Sequence, residues 1–134
     1  MIANIPLLVV PLIVYNLLAL LPSGFEWGAV LFSVPMMSGV TWEVTLGDVF
    51  ILGTLVFLFA EIVKATSVST RSIIDHMLST FVFIVALVEF LLVQAAATST
   101  FAILLAIMLF DIIAGYSVSI RVARRDIAVD PRGE

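Results

Sequence analysis

All six basic residues of this 134-residue chain fall in two short stretches, Lys64 and Arg71 in one and Arg121, Arg124, Arg125 and Arg132 in the other, and most of what surrounds them is apolar. Short cytoplasmic loops of membrane proteins keep Lys and Arg, and translocated loops lack them. Both stretches are therefore expected on the cytoplasmic side and the remaining connections on the other. Composition leads to the same class, because 63% hydrophobic and 12% charged residues stand against roughly 45–50% apolar and about 25% charged in soluble domains. At about 20 residues per span, four spans use most of the chain. The expectation is a single transmembrane domain over residues 1–134, an all-α four-helix bundle with a loop or hairpin between its first two helices and no room for a separate catalytic domain.

The net charge of −4 says little about partners, since four of the ten acids, Glu61, Asp75, Glu89 and Asp111, lie in or at the ends of apolar runs. The exposed cytoplasmic face is locally basic, yet nothing supports nucleic-acid binding. Cysteine is absent, which excludes disulfides, thiolate metal sites and cysteine nucleophiles.

The first apolar run, residues 5–21, is near the short limit for a span and carries Pro6 and Pro11. Pro6 suits a first helical turn, whereas Pro11 is expected to kink the helix. With no basic n-region and no small-residue cleavage site, the run reads as a transmembrane helix rather than a signal peptide. Its Asn16 is expected to bond a neighbouring helix. Residues 22–46 lack Lys and Arg and contain both tryptophans, Trp27 and Trp42, residues that favour the headgroup level. Strict alternation over Val40–Leu46 and the Ser38-Gly39 pair suggest a hairpin with a two-residue turn, in which Trp42 opposes Pro35 and Val44 opposes Ser33. An irregular interfacial segment is the competing expectation.

The remaining spans are expected over residues 46–65, 72–93 and 99–120, with a cytoplasmic tail at 121–134. Ser72 and Asp75 make an S-x-x-D capping pattern at the start of the third, and residues 94–100 make a tight turn. Arg121, Arg124 and Arg125, with Trp27 and Trp42, are expected to anchor the protein in lipid.

Ionisable residues at membrane depth are costly and default to functional hypotheses. At 1.5 Å per residue, Glu61 and Asp111 should lie at one level, with Lys64, Asp75, His76 and Tyr116 close by, and Glu89 in the opposite half. Glu61, His76, Glu89 and Asp111 are thus the candidates for ion handling or interhelical polar contact. The quieter readings are a local Glu61–Lys64 ion pair, a capping role for Asp75, and a hydrogen-bonding helix residue at His76. Asp75, Ser79, Val82, Ala86 and Glu89 share one stripe of the third helix, and Asp111, Gly115 and Ser119 form a small-residue edge on the fourth that admits a close neighbour. No phosphate loop, zinc motif, nucleophile elbow or Ser-His-acid set occurs, so no metal and no cofactor are expected.

The segments S-T-R-S-I-I-D-H-M-L-S at 69–79, V-E-F-L-L-V at 88–93 and A-A-A-T-S-T-F at 95–101, with D-x-x-A-G-Y from Asp111 to Tyr116, give the chain a pattern that resembles small four-span bacterial inner-membrane proteins of uncharacterised function. The resemblance covers nearly the whole chain and implies an inner-membrane location with both termini cytoplasmic, but no activity. In size the chain also resembles small multidrug-resistance transporters, from which it departs by having Asn16 in helix 1, where those proteins carry their essential Glu. The expected function is an accessory or scaffolding subunit without catalysis, with lipid and either other membrane subunits or further copies of itself as partners. A small oligomeric proton- or cation-coupled transporter is the alternative, and a holin-like pore former a third reading.

Overall fold

The computed structural model describes residues 5–66 and 70–129, the side chains of 70–72, 119, 122, 123 and 125–129 excepted. The elements run α1 (Val9–Ala19), β1 (Val30–Pro35), β2 (Thr41–Thr45), α2 (Leu46–Lys64), α3 (Thr70–Leu92), a 3₁₀ turn at Gln94–Ala96, and α4 (Ser99–Val129). Three stretches are long and apolar enough to cross a membrane: Leu46–Lys64, Ile73–Leu92 and Ser99–Val118. The fold is mostly helical, as expected, with a two-stranded sheet added to it.

The centre of the bundle is α4. Of its spanning window 39% is buried, against 17% in α2 and 22% in α3. Phe101, Leu104, Leu105, Met108, Asp111 and Gly115 are all buried, and their spacing places them along one inward stripe of a 3.6-residue helix. Leu8, Leu12 and Tyr15 join this core from α1 and the turn before it, with Ala86 from α3. The outward faces of α2 and α3 carry exposed Leu52, Val56, Phe59, Phe81, Leu91 and Leu92, an apolar surface suited to lipid.

The first expected span is not a full-length helix. Only 11 residues, Val9–Ala19, are helical, which at 1.5 Å per residue is about 16 Å, roughly half of a hydrocarbon core. The prolines account for the late start. Pro6 heads a turn in which Val9 N–H donates to Pro6 O and Val10 N–H to Leu7 O. Pro11 then occupies the first turn of α1, where its missing N–H has no helical partner to lose; it opens the helix instead of kinking its middle.

The hairpin forms, in a different register. Trp42 opposes Val34 and Val44 opposes Phe32, one residue away from the expected pairing. The reason is a three-residue loop: Met36 N–H donates to Val40 O at 2.9 Å, Gly39 N–H donates to Met36 O at 3.0 Å, and Gly39 sits at φ +89°. This is a tight turn completed by a residue in the left-handed region, a conformation glycine adopts freely. One residue more in the loop moves the partners of Phe32 to Pro35 along by one, and an irregularity between Val30 and Phe32 carries Val30 one further, onto Thr45.

Two helix boundaries differ as well, while α2 starts at Leu46 as expected. Helix α3 begins at Thr70, so Asp75 lies beyond its first turn, and the Ser72 side chain is outside the described residues. Helix α4 continues to Val129, nine residues past the expected end, and takes in most of what was expected to be tail; residues 130–134 are outside the described set. Helix α2 is stopped at its start by a capping box not anticipated from sequence: Asp48 N–H donates to Thr45 Oγ1 at 3.1 Å and Thr45 N–H to Asp48 Oδ2 at 3.0 Å. Two further free N–H groups of α2 are used by the preceding loop, Leu46 bonding Ala29 O and Gly47 bonding Trp27 O.

Candidate functional site

Helix α2 ends with Glu61 and Lys64 one turn apart, and the local ion pair forms, Nζ to Oε1 3.2 Å. Lys64 does more than this. Its ammonium also lies 3.3 Å from Asp75 Oδ1 on α3 and donates to Ile5 O at 3.1 Å. Glu61 in turn accepts the backbone N–H of Leu7, in the turn just before the N-cap of α1. A carboxylate at this position also faces the positive end of the α1 dipole. One four-way clamp therefore joins the segment before α1, the end of α2 and the start of α3. Asp75 serves that clamp and not a helix cap. The two carboxylates are 1% and 3% exposed and the lysine 27%, so the acids lie within the protein while the amine reaches its edge, as a snorkelling lysine does.

Asp111 of α4 is 5% exposed and within electrostatic reach of Glu61, Asp75 and Lys64. It lines a narrow gap with Pro6, Leu8, Ser79, Val82 and Met108. Ser79 Oγ is buried there without a hydrogen-bond partner among the described residues. His76, 5% exposed, rests against Tyr116 with ring centroids 5.1 Å apart. The small edge of α4 is what admits it: a Cβ on Gly115 would come within 2.9 Å of His76 Cε1. The edges of α3 and α4 thus meet at the histidine.

Glu89 stands apart, in the other half of the bundle. Asn16 Nδ2 donates to Glu89 Oε1 at 3.2 Å and to Leu12 O at 2.9 Å, so the polar group of α1 does bond a neighbouring helix. One residue earlier, Tyr15 is fully buried. Its hydroxyl bonds Ala95 O at 2.9 Å and Thr98 Oγ1 at 2.7 Å, and its ring stacks on Trp27 at 4.6 Å. Between this clamp and the Lys64 clamp lie Leu8, Leu12, Ala86, Leu104 and Met108, an aliphatic layer that separates the two polar zones.

The expected lipid anchors divide. Trp42 is exposed on β2, and Arg121 and Arg124 are exposed on α4; Trp27 is half-buried and packs on Tyr15, Phe25 and Phe50. The side chain of Arg125 lies outside the described residues. Among the described residues no group of three His, Cys, Asp or Glu is placed to hold a metal ion. Sequence reasoning placed Ser79 on the shared stripe of the third helix, but it gave neither the partners of Tyr15 nor the Thr45 cap, although the T-x-x-D pattern at 45–48 was a local signal for the cap. Comparison with protein families, with curated proteins and with solved structures found no match.

Proposed function

We propose that this chain is a non-catalytic integral membrane subunit of a bacterial inner membrane, an accessory or scaffolding component that works by associating with other membrane proteins or with further copies of itself. The carrying observation is how the polar groups at depth are used. Lys64, Glu61 and Asp75 close on one another and on the backbone of residues 5 and 7, Asn16 closes on Glu89, and an aliphatic layer lies between. Side chains so engaged hold helices together, and an ion crossing one copy of the chain would meet apolar side chains midway. The apolar outward faces of α2 and α3 remain for lipid and neighbouring subunits.

In this reading α2, α3 and α4 cross the bilayer, and α1 with the turn before it forms a shorter fourth segment. That segment reaches from Glu61, through the Leu7 bond, to Ala95 at the other end, through Tyr15. Both termini then share the cytoplasmic side with the basic residues. Anionic lipid headgroups would meet Arg121 and Arg124 there.

The transporter reading draws its support from one place, the gap between Asp111 and Ser79. Both are tested together. Purified protein reconstituted in liposomes is expected to pass no more ions under a pH gradient than empty liposomes, and mild solubilisation of membranes is expected to recover it in a stoichiometric larger complex. Flux abolished by Asp111→Asn would replace the accessory reading with the transporter.

A further inference from the structure

A second cavity opens at the end of the bundle away from the basic residues, between the starts of α2 and α4. It has a volume of about 390 Å³ and is lined by Trp27, Asp48, Ile51, Ser99, Thr100 and Ile103 among others. That is within the roughly 300–1,000 Å³ of small-molecule sites. Its walls are held by close contacts: Gly47 N–H donates to Trp27 O at 2.8 Å, and a Cβ on Gly47 would meet Thr100 Oγ1 at 3.0 Å and Trp27 O at 3.1 Å. Trp27 is fixed from behind by its stack on Tyr15.

Lys, Arg and His are absent from residues 1–63 and 77–120, so no full positive charge lies on the segments that line this cavity, and the positive ends of α2 and α4 there are partial charges. Glu89 is engaged by Asn16, and Asp48 is the carboxylate in the cavity wall. Its Oδ2 accepts the Thr45 N–H, and an ionised carboxylate accepts further hydrogen bonds. Beside it the hydroxyls of Ser99 and Thr100 add acceptors, and Trp27, Ile51 and Ile103 give an apolar flank. Oxygen acceptors beside a full carboxylate charge match an N–H-bearing cation better than a quaternary amine, which has no N–H to donate.

We propose that this cavity binds a primary ammonium group, with Asp48 as the counter-ion, supplied by an ethanolamine lipid headgroup or by a free amine of the same kind. The site lies beyond the accessory role proposed above, and its failure would leave flux and co-purification unchanged.

The test uses full-length protein carrying Trp42→Phe, so that Trp27 is the sole tryptophan fluorophore. Ethanolamine is titrated into the protein in detergent, and in parallel the protein is placed in phosphatidylglycerol nanodiscs containing increasing phosphatidylethanolamine. A saturable change in Trp27 emission is expected. Loss of one charge-assisted contact predicts about tenfold weaker binding in Asp48→Asn, while Glu43→Gln, outside the cavity wall, leaves the response unchanged. Asn also caps helices, and helix content by circular dichroism checks the fold; Ser99→Ala with Thr100→Val, expected to weaken the response, serves as a second variant. Saturation by phosphatidylethanolamine that blocks the ethanolamine response identifies a lipid headgroup, and a response to ethanolamine alone identifies a soluble amine. No saturable change in either arm, or equal binding by the wild type and Asp48→Asn, would overturn the proposal.

Discussion

Removing the amine of Lys64 strands two carboxylates that are almost wholly buried. Breaking a buried pair by deleting one partner costs about 3–5 kcal/mol, and the lower end applies because the lysine itself is partly exposed. Lys64→Met is therefore expected to lose about 3 kcal/mol in thermal unfolding in detergent, and the triple change Lys64→Met, Glu61→Gln, Asp75→Asn to recover much of it, since the three act as one unit. An additive triple mutant would show that the clamp is not cooperative. Gly115→Ala puts a methyl group 2.9 Å from the His76 ring, an overpacking worth about 1–3 kcal/mol; combined with His76→Ala the cost should largely vanish. Tyr15→Phe leaves Ala95 O and Thr98 Oγ1 without the hydroxyl, and a loss of about 1–2 kcal/mol is expected.

At the scale of elements, α2 depends on its first turn. Thr45→Ala removes one half of the capping box, with an expected loss of about 1 kcal/mol visible as a lower melting temperature, and Thr45→Ser should restore it. In the hairpin, Gly39→Val forces a β-branched residue to φ +89°. The structure predicts that the loop loses its geometry while α2–α4 keep their helix content, because the hairpin packs mainly on itself and on the start of α2. The period-2 alternation of Val40–Leu46 was enough to reveal strands, but not the loop length, since Ser38-Gly39 and Met37-Ser38-Gly39 are both good turns and both end on Gly39, the residue that takes the left-handed conformation. The apolar run at residues 5–21 likewise reveals a buried segment without saying how much is helix; that depends on where the two prolines sit relative to the first turn.

For the whole molecule, orientation is the testable quantity. With Lys64, Arg121 and Arg124 at one end and no basic residue within 77–120, a reporter fused after Glu134 should be active only in the cytoplasm; periplasmic activity would reject the proposed topology. The distribution of polar groups also had a sequence trace. The level shared by Glu61 and Asp111 follows from counting residues along straight helices, and the separation of Glu89 from them follows in the same way. The pairing of Asn16 with Glu89, 73 residues away, and of Lys64 with Asp75 across two helices does not.

The sequence by itself determined three long apolar helices, the break between α3 and α4, the basic end of the bundle and the identity of the acids at depth. Each of these rests on the solubility of a contiguous stretch and on charges counted along it, quantities that need no neighbour. Tertiary structure alone decided that α4 is the centre, that Trp27 packs on Tyr15 instead of standing free, and that Glu61 closes the start of α1. Hydrophobic periodicity records that a face is buried, and only the packing of side chains from distant segments chooses what covers it.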